Sequence, residues 1–451
     1  MTKRIVIIGS GAAGMTAASE AKRFDPSAEV TVITDDEHIA YSPCAIPWVI
    51  EGKMDRDRMV MHDPSFYAKE RNITVITRKK VTAADHVRKT VTAGGMEYHY
   101  DALVVAAGGY VFVPPVPGTD LKNLFRVRTV NDAAAIYDAL GKTKKAVVIG
   151  AGIIGLETAY ALRKHGKDVT VVEMLGQVIP RIADEDIAGH VQRYLEGLGV
   201  KFVLRTPLGS VDGEDKVTSI TAGGKRYVCD MVILATGVRA NLEIPKMLGL
   251  DIGELGAVVV SPAMRPYRKG ALADDIYLAG DIVQCSSAVN GRPTMSQLGS
   301  TAVRQGTIAG RNAAGAQQTI GPTVSPWISV IGDMEVGGAG ISEGLAEWYG
   351  IKTVSGSSEG HTCARYYPGG NELRVKMLAN ASTQAMIGVQ MIGSGINGRI
   401  NWMASVISSG TTVGGFLHDG ENAYCPPTSM VRDPVFNAAD NLYEKLKKQA
   451  F

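Results

Sequence analysis

Long apolar runs, a charge excess of either sign and paired cysteines are all missing from this 451-residue chain. The longest apolar region, Val147 to Leu162, is interrupted by Gly150, Gly152, Gly155, Glu157 and Thr158, and falls short of the ~18 to 20 apolar residues that a membrane span needs. The N-terminal run Ile5 to Ile8 ends at Gly9, too soon for the apolar core of a signal peptide. A cytoplasmic protein without a membrane helix is therefore expected. Lys and Arg number 47 against 45 Asp and Glu, a formal net charge of +2, so no bulk field draws nucleic acid or an anionic membrane. The five cysteines, Cys44, Cys229, Cys285, Cys363 and Cys425, are odd in number and include no C-x-x-C pair, so neither a disulfide framework nor a metal site is legible.

Glycine, in contrast, is abundant: 52 of 451 residues is close to 12%, against about 7% in average proteins. Part of the excess sits in a long-range duplication. Lys3 to Ile8 reads as a buried strand, Gly9-Ser10-Gly11-Ala12-Ala13-Gly14 fits G-x-G-x-x-G, an alanine-rich stretch to Phe24 has helical composition, and Val30 to Ile33 is a second strand. The pattern returns as Ala146 to Ile149, Gly150-Ala151-Gly152-Ile153-Ile154-Gly155, a helix from Leu156 to His165 and a strand from Asp168 to Glu173. Each half later carries a strand ending in small residues, Leu103 to Ala107-Gly108 and Val232 to Gly237. Two such loops, each in strand-loop-helix-strand context, point to two dinucleotide sites.

In such a loop the first glycine permits the turn, the second lets backbone approach a pyrophosphate and the third allows close packing, while the helix N-terminus stabilises the anion. A carboxylate at the end of the second strand then holds the ribose hydroxyls. In the second site this is Glu173, and no Lys or Arg follows between Met174 and Pro180, so NADH is expected over NADPH. In the first site Thr34 stands at that position and Asp35 follows it, so the ribose contact either shifts to Asp35 or runs through water.

The proline-rich stretch Val113 to Gly118 reads as an inter-domain connection. A third glycine-bearing strand end, Ile276 to Gly280-Asp281, follows the second half. Beyond about residue 322 the nucleotide signatures stop, and short strands give way to helices from Ile396 to Ser408 and Asp433 to Lys448. The expected fold class is α/β, with two Rossmann-like domains and an appended C-terminal α+β domain.

Taken together, these motifs resemble the flavin-dependent pyridine nucleotide-disulfide oxidoreductases. Tyr41-Ser42-Pro43-Cys44-Ala45-Ile46-Pro47-Trp48 is similar to the single-cysteine segment of the branch that contains CoA-disulfide reductases, NADH oxidases and CoA-persulfide or polysulfide reductases. The resemblance implies an FAD domain at 1–118 and 244–322, an NAD(H) domain at 119–243 and a dimerisation domain at 323–451. It further implies FAD at the first loop, NADH at the second, Asp281 on the flavin ribityl chain, and coenzyme A as substrate or bound thiol. Cys44 becomes the redox cysteine. Tyr424, in Tyr424-Cys425-Pro426-Pro427, becomes the tyrosine that reaches the partner subunit's redox cysteine in a homodimer, and either Tyr366 or Tyr367 supplies a second.

Departures from the family pattern sharpen the expected chemistry. Ala12 stands where peroxidases and water-forming oxidases carry a histidine, and Ile153 stands where many relatives place a tyrosine. Lys22 and Arg23 are candidates for CoA phosphates by resemblance, yet they equally suit the C-terminal dipole of the first helix. The expected activity is NADH-dependent reduction of CoA-disulfide, CoA-persulfide or polysulfide through a Cys44 mixed disulfide. Its alternatives are a hydrogen peroxide-forming NADH oxidase and a non-catalytic flavoprotein sensor or docking subunit. Only the thiolate attacks sulfur, and a free cysteine with a pKa of ~8.5 is about 3% ionised at pH 7.

Overall fold

The computed structural model describes residues 2–449. Its first parallel sheet has the strand order Ile276–Leu278, Ala102–Val105, Arg4–Ile8, Glu29–Ile33, Ile73–Ile76. The central strand pairs Ile5 with Val30 on one side and with Ala102 on the other. The second sheet repeats the design in the order Lys201–Val203, Asp168–Val172, Lys145–Ile149, Met231–Leu234, Leu124–Arg126, with Ala146 paired to Val169 and Met231. Both central strands are almost wholly buried, which is why they read as unbroken apolar runs rather than alternating ones. Each half also carries a three-stranded antiparallel sheet, Val81–Asp85 with its neighbours in the first and Leu208–Gly213 with its neighbours in the second. The duplication thus extends beyond the glycine loops.

The chain crosses between the two sheets twice, and the crossings pair with each other: Gly109–Val111 runs antiparallel to Val238–Ala240. From residue 327 a five-stranded antiparallel sheet follows, in the order Trp327–Ile331, Met334–Gly340, Met386–Gly393, Glu372–Asn380, Thr353–His361. The helices Asn397–Ser408 and Pro434–Gln449 pack against this sheet.

More of the glycine surplus is used between helices. Ala12–Phe24 crosses Gly299–Ala313 so closely that a Cβ on Gly306 would come within 2.4 Å of the Ala13 oxygen, and one on Gly310 within 2.2 Å of the Ala17 oxygen. Small residues four apart on one helix meet small residues four apart on the other, so backbone packs on backbone.

The segment after Cys44 packs away from the sheet that precedes it. Ile46, Val49, Ile50 and Met59 share a core with Val148, Leu156 and Leu162 of the second sheet and its helix, and with Ile331 and Val336 of the C-terminal sheet. Short helix Ile46–Glu51 is therefore gripped by parts of the chain that lie far away in sequence.

Candidate active site

Both glycine loops close in the same way. Gly9 has φ +104, and a Cβ there would sit 2.2 Å from the Ala106 oxygen; Gly150 has φ +105, and a Cβ there would sit 2.4 Å from the Ala235 oxygen. An L side chain is excluded at both positions by conformation and by space. The third glycines, Gly14 and Gly155, are pressed as tightly onto the oxygens of Gly9 and Gly150. Gly11 and Gly152, the N-caps, face open space, with no neighbour within 4 Å of a would-be Cβ. The helices that follow, Ala12–Phe24 and Ile153–Lys164, have neither a side-chain cap nor an acidic residue in the first turn. Two uncapped helix ends thus present free N–H groups over open glycines, the cradle a pyrophosphate requires. Ala13 packs beside Gly280, Ile153 is partly buried, and Ile154 is exposed.

At the second loop, Glu173 accepts from the backbone N–H of Ala151 and of Leu175, both at 2.8 Å. The carboxylate is thereby fixed at the rim of the cradle. At the first loop the corresponding Thr34 is buried and accepts from Ser10 Oγ at 3.2 Å, while Asp35 is exposed beside it. Asp36 accepts from the Tyr41 hydroxyl at 2.8 Å, and burial together with that carboxylate holds the Tyr41 phenol well above its ordinary range.

Near the first loop, Asp281 is bridged by Arg128 at 3.0 Å, and Arg128 also lies against Gly108, next to Ala107. Gly280 donates to the buried Gln305 Oε1 at 2.8 Å. Arg128 comes from just after the strand Leu124–Arg126 of the second sheet, so it closes this site from the other half of the chain. Sequence reading missed it, because its partner lies 153 positions away. Gly237, equivalent to Gly108 in the second half, accepts from Phe112 N–H at 2.9 Å in the crossing between the halves.

Ser42 is the N-cap of a short 3-10 turn, Pro43–Ala45, that leads directly into Ile46–Glu51. Cys44 and Ser42 are exposed. The far end of the helix is held from the second half, where His165 Nε2 meets the Ile50 oxygen at 2.6 Å. Tyr366, Tyr367 and Tyr424 are exposed on two adjoining loops of the C-terminal domain, tied by Ala364 N–H to the Pro426 oxygen at 2.9 Å. Of the two tyrosines left open by sequence, Tyr366 is the one whose hydroxyl meets that of Tyr424, at 2.6 Å. Cys425 is exposed beside Tyr424, and Cys363 is buried. Burial pushes the Cys229 thiol up to about 12 and raises that of Cys285, which makes both inert at neutral pH.

Lys22 and Arg23 end the first helix, but both have partners already. Lys22 donates to the Ala28 oxygen at 2.7 Å, and Arg23 pairs at 3.2 Å with Glu20, which also binds Arg311 at 2.6 Å.

Comparison with known proteins resolves what this arrangement is. Residues 3–306 match the model of the pyridine nucleotide-disulphide oxidoreductases, and residues 327–433 match the dimerisation domain of the same proteins. The chain belongs to the pyridine nucleotide-disulphide oxidoreductase family. It is 42% identical to a protein named NADH oxidase from Methanocaldococcus jannaschii, over 99% of this chain and 100% of that one. It is 33% identical to an NAD(P)H coenzyme A polysulfide/persulfide reductase from Pyrococcus horikoshii, over 96% and 97%. A solved NAD-dependent persulfide reductase from A. fulgidus superposes with a TM-score of 0.94 at 31% identity, over 99% of this chain and 84% of that one. As a member of this family the chain is an NAD(P)H-dependent flavoprotein oxidoreductase using FAD and NADH, and its two open, uncapped glycine cradles fit those cofactors. Among the described residues no helix is long and apolar enough to cross a membrane.

Proposed function

We propose that this oxidoreductase reduces a disulfide, persulfide or polysulfide of the coenzyme A type through Cys44. FAD is held by Gly9, Gly11, Gly14 and Asp281 in a domain formed by 1–118 and 244–322, and NADH by Gly150, Gly152, Gly155 and Glu173 in the inserted 119–243. When bound, the two cofactors supply a pair of electrons to sulfur. The Cys44 thiolate attacks one sulfur of R–S–S–R′, forming a Cys44–S–S–R bond as the S–S bond of the substrate breaks and R′S⁻ leaves. In a homodimer built on residues 323–451, Tyr424 and Tyr366 of the opposite copy face Cys44, and Tyr424 gives a proton to the departing thiolate. Arg23, with 72% of its side chain exposed, is the more accessible of the two helix-end cations for a CoA phosphate.

The observation that carries this reading is the placement of Cys44: exposed in the first half, in a turn anchored through the helix that follows it to the second half. Anaerobic titration of the holoenzyme with NADH tests it. Wild type should take up one electron pair beyond the flavin and develop a long-wavelength charge-transfer absorbance, and Cys44→Ser should lose both along with disulfide turnover. Unchanged stoichiometry in Cys44→Ser refutes the mixed-disulfide route. The name of the M. jannaschii relative favours a second reading, an NADH oxidase that delivers electrons to oxygen and forms hydrogen peroxide. Peroxide yield with and without disulfide substrate separates the two.

A further inference from the structure

The backbone hydrogen bonds of the duplication repeat in the corner where each dinucleotide's ribose is held, whereas the carboxylate that pairs with the corner's arginine is present in one half and missing from the other. In the first half, Thr34 donates to the Ile76 oxygen, Lys79 N–H donates to the Thr34 oxygen, and Arg78 N–H donates to the Asp36 oxygen. In the second half, Glu173 N–H donates to the Val203 oxygen, Thr206 N–H to the Glu173 backbone oxygen, and Arg205 N–H to the Leu175 oxygen. The two arginines are thus equivalent, and both hold the left-handed backbone, φ 57 at Arg78 and φ 54 at Arg205. Counting from Thr34 and Glu173, the equivalent of Glu37 is Gly176.

That exchange changes the charge. The Arg78 guanidinium is paired with Glu37. The Arg205 guanidinium lies over Gly176 instead, 3.4 Å from where a Cβ would be, and glycine offers it no carboxylate. Arg205 is exposed two residues past the strand Lys201–Val203, which pairs with Asp168–Val172, the strand that leads into Glu173. Arg205 has no ion-pair partner among the described residues, and such a planar cation at the ribose corner is the group that binds a phosphomonoester by paired charge-assisted hydrogen bonds.

We propose that Arg205 is the residue that admits NADPH, by binding the 2′-phosphate of its adenosine ribose. The sequence expectation that nothing offsets Glu173 rested on residues 174–180, whereas the cation arrives from the neighbouring strand. The proposal rests on the assignment of Gly150 to Gly155 to the nicotinamide dinucleotide.

Calorimetric binding of 2′,5′-ADP and 5′-ADP to the FAD-loaded enzyme tests it without turnover. In Arg205→Ala the preference for 2′,5′-ADP relative to 5′-ADP should fall about tenfold, the loss of one charge-assisted contact. Arg205→Lys should retain part of it. Gly176→Glu, which installs the carboxylate that the first half carries, should lower the same ratio with Arg205 intact, and the NADPH-to-NADH ratio of kcat/KM should follow in each variant. A ratio unmoved in both Arg205→Ala and Gly176→Glu overturns the proposal. Failure of 5′-ADP itself to bind wild type overturns the dinucleotide assignment beneath it.

Discussion

The hydroxyl oxygens of Tyr366 and Tyr424 stand 2.6 Å apart although 58 positions separate the residues in the chain. Tyr424 is protonated at neutral pH, as an ordinary phenol is, and the hydrogen bond to Tyr366 raises it further and makes it a weaker acid than a free phenol. In Tyr424→Phe, disulfide turnover should fall about 100-fold, the scale of a lost general acid. Tyr366→Phe should have a smaller effect, because the acid remains and only its partner is gone. Stopped-flow reduction of the flavin by NADH, which precedes the sulfur chemistry, should be unaffected in both variants. An equal loss in the two phases would assign the tyrosines to assembly.

Glu157 lies two residues past Gly155 and accepts from Ser329 Oγ at 2.6 Å, joining the dinucleotide half to the C-terminal sheet. Burial pushes its carboxyl from the ordinary 4.5 up to about 7, with the serine pulling weakly the other way. The folded protein therefore holds this proton more tightly than the unfolded chain. The stabilisation is complete below about pH 4.5 and is lost as pH rises through about 7. Glu157→Gln keeps an acceptor for Ser329 and removes the titration. Its stability advantage over wild type should grow between pH 5 and pH 8, to the order of 2 kcal/mol in denaturant titrations. A difference that stays constant with pH would count against this.

Lys376, buried in the C-terminal sheet, reaches Asp184 at 3.1 Å, Asp186 at 3.0 Å and Glu343 at 3.0 Å. Asp184 is itself buried, donated to by Gln390 Nε2 at 2.8 Å, and burial raises its pKa despite the lysine. Lys376→Met should cost about 3 to 5 kcal/mol, since removing one partner strands the others. The cost should be smaller at pH 5 than at pH 8, since burial favours the protonated form of Asp184 as pH falls, and smaller again in the double variant Lys376→Met with Asp184→Asn. Guanidinium titrations at pH 5 and pH 8 give both comparisons.

The parts of this molecule legible in sequence are those whose cause is local. Gly9 and Gly150 announce themselves because turn, cradle and helix start are consecutive residues, and buried parallel strands such as Ala146 to Ile149 show as continuous apolar runs. Glu173 could be placed by counting from Gly155. Arg128, Glu157, Arg205 and Lys376 could not, because each acquires its role from a group in another part of the fold: Asp281, Ser329, the loop at Gly176, and Asp184. Gly306 and Gly310 contributed to a composition excess, but only the helix crossing explains them. The ambiguity between Tyr366 and Tyr367 lay in adjacent positions of one exposed loop, where neither periodicity nor spacing discriminates.

The core that grips Ile46, Val49, Ile50 and Met59 bears on how this protein can be recombined. A chimera that exchanges residues 1–118 for those of a relative would import a foreign helix after Cys44 into a core shaped by Leu156, Leu162, Ile331 and Val336 of the recipient. Modular grafting will respect the architecture only if residues 46–60 travel with the second half and C-terminal sheet that enclose them, rather than with the glycine loop they follow in the chain.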